Sequence, residues 1–142
     1  MNSSPGAWML IFCKPKKTFL FGKRGKRMRK PNLWNLFGGH LNDGETFEEG
    51  VVRELDEEAG ITPEEHLGNL PGGLPFLQVG QVTGIREMRY FLMVTETEIS
   101  PELDYEHKAY GWFHFDDLPD NVNRPTDIAI NIGLFLKAMN LV

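Results

Sequence analysis

The sequence predicts an α+β fold, because strand-like apolar runs outnumber the segments with helical periodicity. Six such runs lie in the two halves of the chain, separated by polar or glycine-rich stretches typical of turns. Only two segments carry apolar residues at helical spacing, one central and one near the C-terminal end. Strands interspersed with two helices favour a sheet that packs in layers against helices.

The first half of the chain predicts a hairpin followed by another short strand. The three apolar runs there are residues 7–12, 18–21 and 33–37. Lys14-Pro-Lys-Lys separates the first two runs and predicts the hairpin turn. Residues 23–30 form a basic loop, and the third run ends at Gly38-Gly39.

The central helix is predicted from about Thr46 to Ala59, and Gly60 is placed where a helix-ending glycine belongs. At about 100° per residue, three glutamates share an arc of roughly 100°, namely Glu54, Glu57 and Glu58. Like charges at this spacing repel by a few tenths of a kcal/mol per pair. A solvated acidic surface is one interpretation of this face, and a bound cation is the other.

The second half predicts three further strands and a final amphipathic helix. The strands are residues 77–83, 88–95 and 110–115. Residues 63–75 and 96–106 are predicted as loops. The final helix opens at Thr126, with an inner side formed by Ile128, Ile132, Phe135, Leu136 and Met139.

Composition indicates one soluble domain over residues 1–142, with 41% hydrophobic residues and no apolar run of about 18 residues. The single cysteine, Cys13, excludes an internal disulfide, and we interpret it as part of the core. The first residues lack the features of a signal peptide. We therefore expect a cytoplasmic protein without a membrane partner, either a monomer or a homodimer.

Charge is segregated along the chain, although the net charge is only −5. Nine of the 15 basic residues lie between Lys14 and Lys30, and ten of the 20 acidic residues lie between Asp43 and Glu65. Phosphate oxygens are bound by cations on more than one side. A basic arm beside a metal-binding acidic helix would suit a polyphosphate substrate.

The segment from Gly39 to Ile61 carries the most specific pattern in the chain. It matches G-x5-E-x7-R-E-U-x-E-E-x-G-U at every position, where U is an aliphatic residue. Seven fixed residues would coincide by chance at about one register in 10⁸. The segment resembles the Nudix box of the MutT-like Nudix hydrolases. That resemblance implies a mixed β-sheet sandwiched between α-helices, together with catalysis that depends on Mg²⁺ or, as a substitute, Mn²⁺.

The resemblance also implies roles for the residues of the box. Glu57 and Glu58 correspond to the principal metal ligands, and Glu54 to a metal ligand or general base. Arg53 corresponds to the residue that orients this glutamate, and the carbonyl of Gly38 to a further ligand. A divalent cation there would bridge phosphate oxygens and lower the pKa of a bound water. Glu45 either ties the preceding loop to the helix or is an acid favoured at a helix start.

Three residues outside the box complete the predicted site. Glu106 lies six residues before Trp112, the relation of an additional metal-binding carboxylate in MutT-like enzymes, and Glu96, Glu98 and Glu102 are alternatives. Arg24 aligns with an arginine that binds phosphates, and Lys23, Lys26 or Arg29 could replace it. Asn123 resembles an asparagine that pairs with a purine edge, since its amide carries both a donor and an acceptor.

The implied function is hydrolysis of the pyrophosphate bond of a nucleoside diphosphate derivative. A (d)NTP that yields NMP and pyrophosphate is the first candidate. Dinucleoside polyphosphates follow, because Glu-His-Lys-Ala-Tyr-Gly-Trp resembles a segment of the diadenosine tetraphosphate hydrolases, and ADP-ribose comes third. The basic loop allows an RNA 5′ end, no motif points to DNA, and a nucleotide- or RNA-binding module without catalysis is the alternative of another class.

Overall fold

A mixed seven-stranded sheet and three α-helices form the fold in the computed structural model, which describes residues 4–142. The strands are β1 (Gly6–Cys13), β2 (Thr18–Arg24), β3 (Trp34–Asn35), β4 (Phe37–His40), β5 (Leu77–Val82), β6 (Met88–Thr95) and β7 (His107–His114). The helices are α1 (Phe47–Ala59), α2 (Arg124–Asn131) and α3 (Leu134–Asn140). No helix in these residues is long and apolar enough to cross a membrane.

β1 is the centre of the sheet, and every one of its residues is buried. It runs parallel to β6 and antiparallel to β2 and β4. Its contact with β2 is confined to the hairpin end, where Phe12 faces Phe19. Beyond that point the two strands diverge, so that β3 pairs with β2 while β4 pairs with β1.

Helices cover both faces of the sheet, which confirms the predicted sandwich. Side chains of β1 alternate between two cores, as the period of a strand requires. Met9 packs in the core that contains Val51 and Leu55 of α1. Leu10 packs in the opposite core with Phe135 of α3.

The structure corrects several of the predicted boundaries. The single strand at residues 33–37 is two strands, because the chain passes from a partnership with β2 to one with β1. The last strand begins at His107 rather than Tyr110, and it pairs with β2 throughout, with a shift of register between Lys23 and Arg24. Residues 63–75 contain two short 3-10 turns, Pro63–His66 and Pro71–Gly73.

The final helix predicted from Thr126 is two helices. Asn123 caps α2, and Gly133 separates α2 from α3 with a φ of 78°, which places it in the left-handed region that glycine tolerates. Ile132, at the end of α2, and Leu136, in α3, are exposed rather than on the inner side of one helix. Phe135 is buried as predicted.

The start of α1 provides the first testable prediction, because Thr46 and Glu49 form a reciprocal capping box. Thr46 Oγ1 accepts from the Glu49 N–H, and Glu49 Oε1 accepts from the Thr46 N–H. We expect Thr46→Ala to lower the free energy of unfolding by about 1 kcal/mol in urea denaturation. Thr62→Ala is the matched control, since Thr62 begins a 3-10 turn without a side-chain capping bond. Equal losses from both substitutions would contradict the capping assignment.

Candidate active site

A cleft of about 650 Å³ gathers residues from separate parts of the chain. Six of the eight predicted site residues line it, namely Arg24, Gly38, Glu54, Glu58, Glu106 and Asn123. Within residues 4–142, Arg53 and Glu57 are the predicted site residues outside this lining. The fold therefore brings together residues that are up to 99 positions apart in the sequence, from Arg24 to Asn123.

Glu58 is the most buried carboxylate of the cleft, with 8% of its surface exposed. Its Oε1 accepts a hydrogen bond from the Gly38 N–H at 2.8 Å. Burial raises the pKa of Glu58 well above its usual value, and the negative charge of Glu54 adds to this effect. A carboxylate in this position is costly to ionise unless positive charge is supplied nearby.

Gly38 joins β4 to the centre of the sheet at a point that admits no side chain. Its φ of 151° lies outside the range that other residues adopt readily. A Cβ atom at this position would lie 2.2 Å from the carbonyl oxygen of Ala7. The close approach positions the Gly38 N–H against Glu58, whereas the assignment of its carbonyl as a metal ligand stays a prediction.

Glu54 lies one helical turn before Glu58 and is held on two sides. Its Oε1 accepts from Nη1 of Arg53 at 2.8 Å. Its Oε2 occupies the space beside Gly39, where a Cβ atom would lie only 2.7 Å from that oxygen. Burial raises the pKa of Glu54, and the bond from Arg53 offsets part of this effect.

Glu45 ties the loop before α1 to the helix, which was one of its two predicted roles. Its carboxylate accepts two bonds from Arg53, at 2.8 Å from Nε and 3.0 Å from Nη2. It also accepts from the Asn42 N–H at 2.9 Å. The hydrogen bond from Arg53 is the main reason that the pKa of Glu45 is lowered.

Glu57 differs from the other two helix glutamates in its surroundings. Its side chain is 57% exposed, and its Oε1 accepts from Nη1 of Arg53 at 2.9 Å. The predicted acidic arc is therefore divided: Glu54 and Glu58 line the cleft, while Glu57 lies at its margin with Arg53. Its role as a principal metal ligand stays a prediction. In that role, the Glu57 carboxylate would bind the ion in place of its hydrogen bond with Arg53.

Glu106 and Arg24 lie on the cleft together because the end of β2 pairs with the start of β7. The last registered pair of these strands is Arg24 with His107. The Gly25 N–H donates to the carbonyl oxygen of Glu106 at 2.9 Å. Arg24 Nε donates to the carbonyl oxygen of Arg29, so its guanidinium also supports the basic loop.

Asn123 caps a helix and also lines the cleft. Its Oδ1 accepts from the Thr126 N–H at 3.3 Å and caps α2. Pairing with a purine edge through both amide atoms would require this oxygen to share its capping bond. The assignment of Asn123 as a base-reading residue stays a prediction.

The three cleft glutamates suit a hard divalent cation. They offer only oxygen ligands, which Mg²⁺ and Mn²⁺ prefer. Burial raises the pKa of Glu54 and of Glu58, and the repulsion between the glutamates adds to this effect. A bound cation would relieve that repulsion. Among residues 4–142, no three Asp, Glu, His or Cys side chains already converge as metal ligands. Binding would therefore require the glutamates to turn toward the ion.

Sequence reasoning missed several basic residues of the lining. Lys30, His40, Arg86 and Arg124 line the cleft, as does Arg29, which was an alternative to Arg24. Lys30 could have been found, because it belongs to the basic run. Arg86 and Arg124 are isolated arginines in the sequence, and only the fold brings them to the cleft. Arg86 lies 5.4 Å from the ring centroid of Trp8 and bonds to His40.

Comparisons with known proteins agree with this arrangement. The chain is 38% identical over 56 residues to an RNA pyrophosphohydrolase of Histophilus somni, a match that covers 39% of this chain and 27% of the relative. It is 37% identical over 62 residues to the oxidized purine nucleoside triphosphate hydrolase of Mus musculus, which covers 44% of this chain and 38% of the relative. The chain thus spans between about a quarter and two fifths of the length of these curated relatives.

A solved structure matches nearly the whole chain. The MutT NUDIX hydrolase from Burkholderia pseudomallei superposes with a TM-score of 0.67 and 26% identity, covering 92% of this chain and 98% of that one. The family model of the NUDIX domain matches residues 3–131. The box residues on α1, the sandwiched mixed sheet and this match lead to one conclusion: the chain belongs to the NUDIX domain family.

Proposed function

We propose that this protein is a Mg²⁺-dependent hydrolase that cleaves the pyrophosphate bond of a nucleoside diphosphate derivative. The first substrate candidate is a (d)NTP, with NMP and pyrophosphate as products. Membership of the NUDIX domain family supports the reaction class. The single observation that carries the proposal is the mixed charge of the cleft.

Opposite charges line the same cavity, as a phosphate chain with a bound cation requires. Three glutamates and five basic side chains contribute, the latter being Arg24, Arg29, Lys30, Arg86 and Arg124. Fixed arginines stabilise the charge of phosphate oxygens, and carboxylates bind the counter-ion. When bound, Mg²⁺ would neutralise phosphate charge and act as a Lewis acid.

The side chains of α1 would perform the proton transfer and the positioning. Glu54 is the candidate to accept a proton from the attacking water, because one oxygen is fixed by Arg53 and the other lies beside Gly39. Glu58 and Glu106 would hold the cation, with Glu57 joining them. Positioning and charge neutralisation together account for most catalysis of phosphoryl transfer.

The preference for a (d)NTP rests on Arg24 and Asn123, which lie on the same cleft as the glutamates. The mouse relative is named as a purine nucleoside triphosphate hydrolase, which supports this choice. Purified protein should be incubated with Mg²⁺ and a panel of NTPs, dNTPs, a dinucleoside tetraphosphate and ADP-ribose, with the products resolved. Formation of NMP and pyrophosphate is expected. Stoichiometric binding of nucleotides without any product would favour the binding module instead.

RNA with a 5′ triphosphate is the second candidate, favoured by one feature of the cleft. Arg29 and Lys30 belong to an exposed basic loop that also carries Lys26 and Arg27. Cations beyond the triphosphate site would add backbone contacts with a longer chain. The relative from Histophilus somni is named as an RNA pyrophosphohydrolase. A 5′-triphosphorylated oligonucleotide in the same panel tests this alternative, which would be excluded if the oligonucleotide released no pyrophosphate.

Gly39→Ala tests the proposed role of Glu54 without changing a charged residue. The new methyl group would meet Oε2 of Glu54 at 2.7 Å and displace the carboxylate. Because a flexible side-chain end can move aside, we expect the protein to stay folded while kcat falls about tenfold. Thermal unfolding and steady-state kinetics would measure the two effects. Gly84→Ala is the control, since no atom lies within 4 Å of its added Cβ; an equal fall in kcat there would contradict the argument.

A further inference from the structure

A buried histidine lies directly behind the cleft, next to Glu106 in the chain. The His107 side chain is fully buried, and its ring makes an edge contact with Phe37 at 5.2 Å between centroids. Its two ring nitrogens contact Asp104 at 2.9 Å and Asn35 at 3.1 Å. Buried histidines with a polar partner on each nitrogen have a defined proton position.

The partners determine which ring nitrogen carries the proton. The amide nitrogen of Asn35 donates to the carbonyl oxygen of Leu36 at 2.9 Å, which fixes the orientation of the amide. The reverse orientation would bring two acceptor oxygens together. The same nitrogen therefore donates its second hydrogen to Nε2 of His107. Nε2 accepts, so the proton is on Nδ1 and is donated to Oδ1 of Asp104.

The same oxygen of Asp104 also binds the backbone of Glu106. Oδ1 accepts from the Glu106 N–H at 3.2 Å as well as from His107. The backbone of Asp104 adds two links, since its carbonyl accepts from the His107 N–H and its N–H donates to the carbonyl oxygen of Glu58. The turn at 104–107 is thereby fixed to the end of α1, next to the acidic cleft.

This turn is needed because Glu106 shares the cleft with other negative charges. Glu54 and Glu58 both interact unfavourably with its carboxylate. Repulsion would drive Glu106 toward solvent unless its backbone were held in place. We propose that His107, as the Nδ1–H tautomer bonded to Asp104, is a positioning residue that keeps Glu106 directed into the cleft for cation binding.

Two isosteric substitutions separate this role from simple packing. In His107→Asn the amide nitrogen takes the place of Nδ1 and retains a donor for Asp104. In His107→Gln the amide takes the place of Nε2, so contact with Asn35 is retained and the donor to Asp104 is lost. We expect His107→Gln to weaken Mn²⁺ binding about 10-fold to 100-fold in calorimetry. His107→Asn should bind Mn²⁺ with an affinity within about threefold of that of the wild type, because the bond to Asp104 is preserved.

The second measurement is the rate of nucleotide hydrolysis, and for this measurement the inference rests on the proposed function. His107→Gln should lower kcat by about 10-fold or more with little change in KM, and His107→Asn should restore it. His114→Gln is the matched control, because His114 forms the same kind of pair with Asp116 at the exposed end of β7. If Mn²⁺ binding and kcat fell in both His107 variants in proportion to their loss of thermal stability, His107 would have only a packing role and the proposal would be overturned.

A double-mutant cycle tests whether His107 acts through Asp104. Asp104→Ala and the double variant Asp104→Ala/His107→Gln should bind Mn²⁺ equally, since the second change removes a bond already lost. Additive losses would overturn the proposal. If a variant does not fold, the wild-type proton–nitrogen NMR spectrum of the histidine rings decides: a protonated Nδ1 supports the proposal, and a protonated Nε2 refutes it. Wild type that binds Mn²⁺ but hydrolyses no nucleotide would refute the proposed function alone.

Discussion

Replacement of Glu58 with Gln is expected to lower kcat for nucleotide hydrolysis by about 10²-fold to 10³-fold, or roughly 3–4 kcal/mol of transition-state stabilisation. The substitution keeps the shape of the side chain and an oxygen for the Gly38 N–H. It removes the negative charge that would bind the cation. Steady-state kinetics with Mg²⁺ in excess would measure the loss.

The same variant should remain folded, because the wild-type carboxylate is not ideally placed for stability. Burial and the charge of Glu54 disfavour its ionised form, as the raised pKa shows. A neutral amide avoids this penalty, so we expect the free energy of unfolding to stay the same or rise in the absence of metal. Asp56→Asn is the control, since Asp56 is an exposed acid on the same helix. Normal turnover by Glu58→Gln would refute the assignment.

Glu57→Gln should also lower kcat severely while the protein stays folded, because the family resemblance implies that both glutamates bind the metal. The structure distinguishes the surroundings of the two residues. Glu58 is buried in the cleft, whereas Glu57 is exposed and bonded to Arg53. If Glu57→Gln turned over normally while Glu58→Gln did not, hydrolysis would depend on the buried glutamate and not on the exposed one. Comparison of their Mg²⁺ dependences would provide the measurement.

Local patterns in the sequence predicted the parts of the fold that depend on neighbouring residues. The capping residue Thr46 and the terminal Gly60 bound α1 because capping is decided within one helical turn. The hairpin from β1 to β2 was likewise predictable from its turn. The break of the last helix at Gly133 was missed, because the apolar pattern continues through the glycine and only packing decides which side is buried.

The candidate site was predictable as far as its residues belong to a contiguous motif. Glu54 and Glu58 follow from the spacing within α1, and both line the cleft. Arg86 and Arg124 could not be predicted. Arg86 lies in the loop between β5 and β6 and Arg124 at the start of α2, and only the folded chain brings these two segments to the same cleft. The different environments of Glu57 and Glu58 also depend on a long-range contact, the approach of Gly38 to the helix.

Arg53→Lys is expected to lower kcat by about 10-fold to 100-fold and the free energy of unfolding by about 1–3 kcal/mol. The five N–H donors of the guanidinium each have an acceptor. Nε and one Nη2 hydrogen bond to Glu45, and the other Nη2 hydrogen bonds to the carbonyl oxygen of His40. The Nη1 hydrogens bond to Glu54 and Glu57.

A lysine ammonium retains the charge but has only three donors at one point, so it cannot replace this planar arrangement. Loss of the guanidinium would release Glu54, the proposed proton acceptor, and would remove the bonds that join the loop at Glu45 to α1. Because Arg53 lies outside the cleft lining, we expect kcat to fall while KM changes little. Urea denaturation and steady-state kinetics would measure the two effects.

Arg89→Lys is the matched control for Arg53→Lys. Arg89 is similarly accessible, with 30% of its side chain exposed against 25% for Arg53, and it also bonds to a carboxylate, Glu87, at 2.7 Å. It packs on the ring of Phe47 in α1 and does not line the cleft. Comparable falls in kcat for the two variants would mean that the guanidinium of Arg53 acts only through stability. A fall confined to Arg53→Lys would support the proposal that the hydrogen bonds of the guanidinium, rather than a positive charge alone, keep Glu54 in position as the proton acceptor.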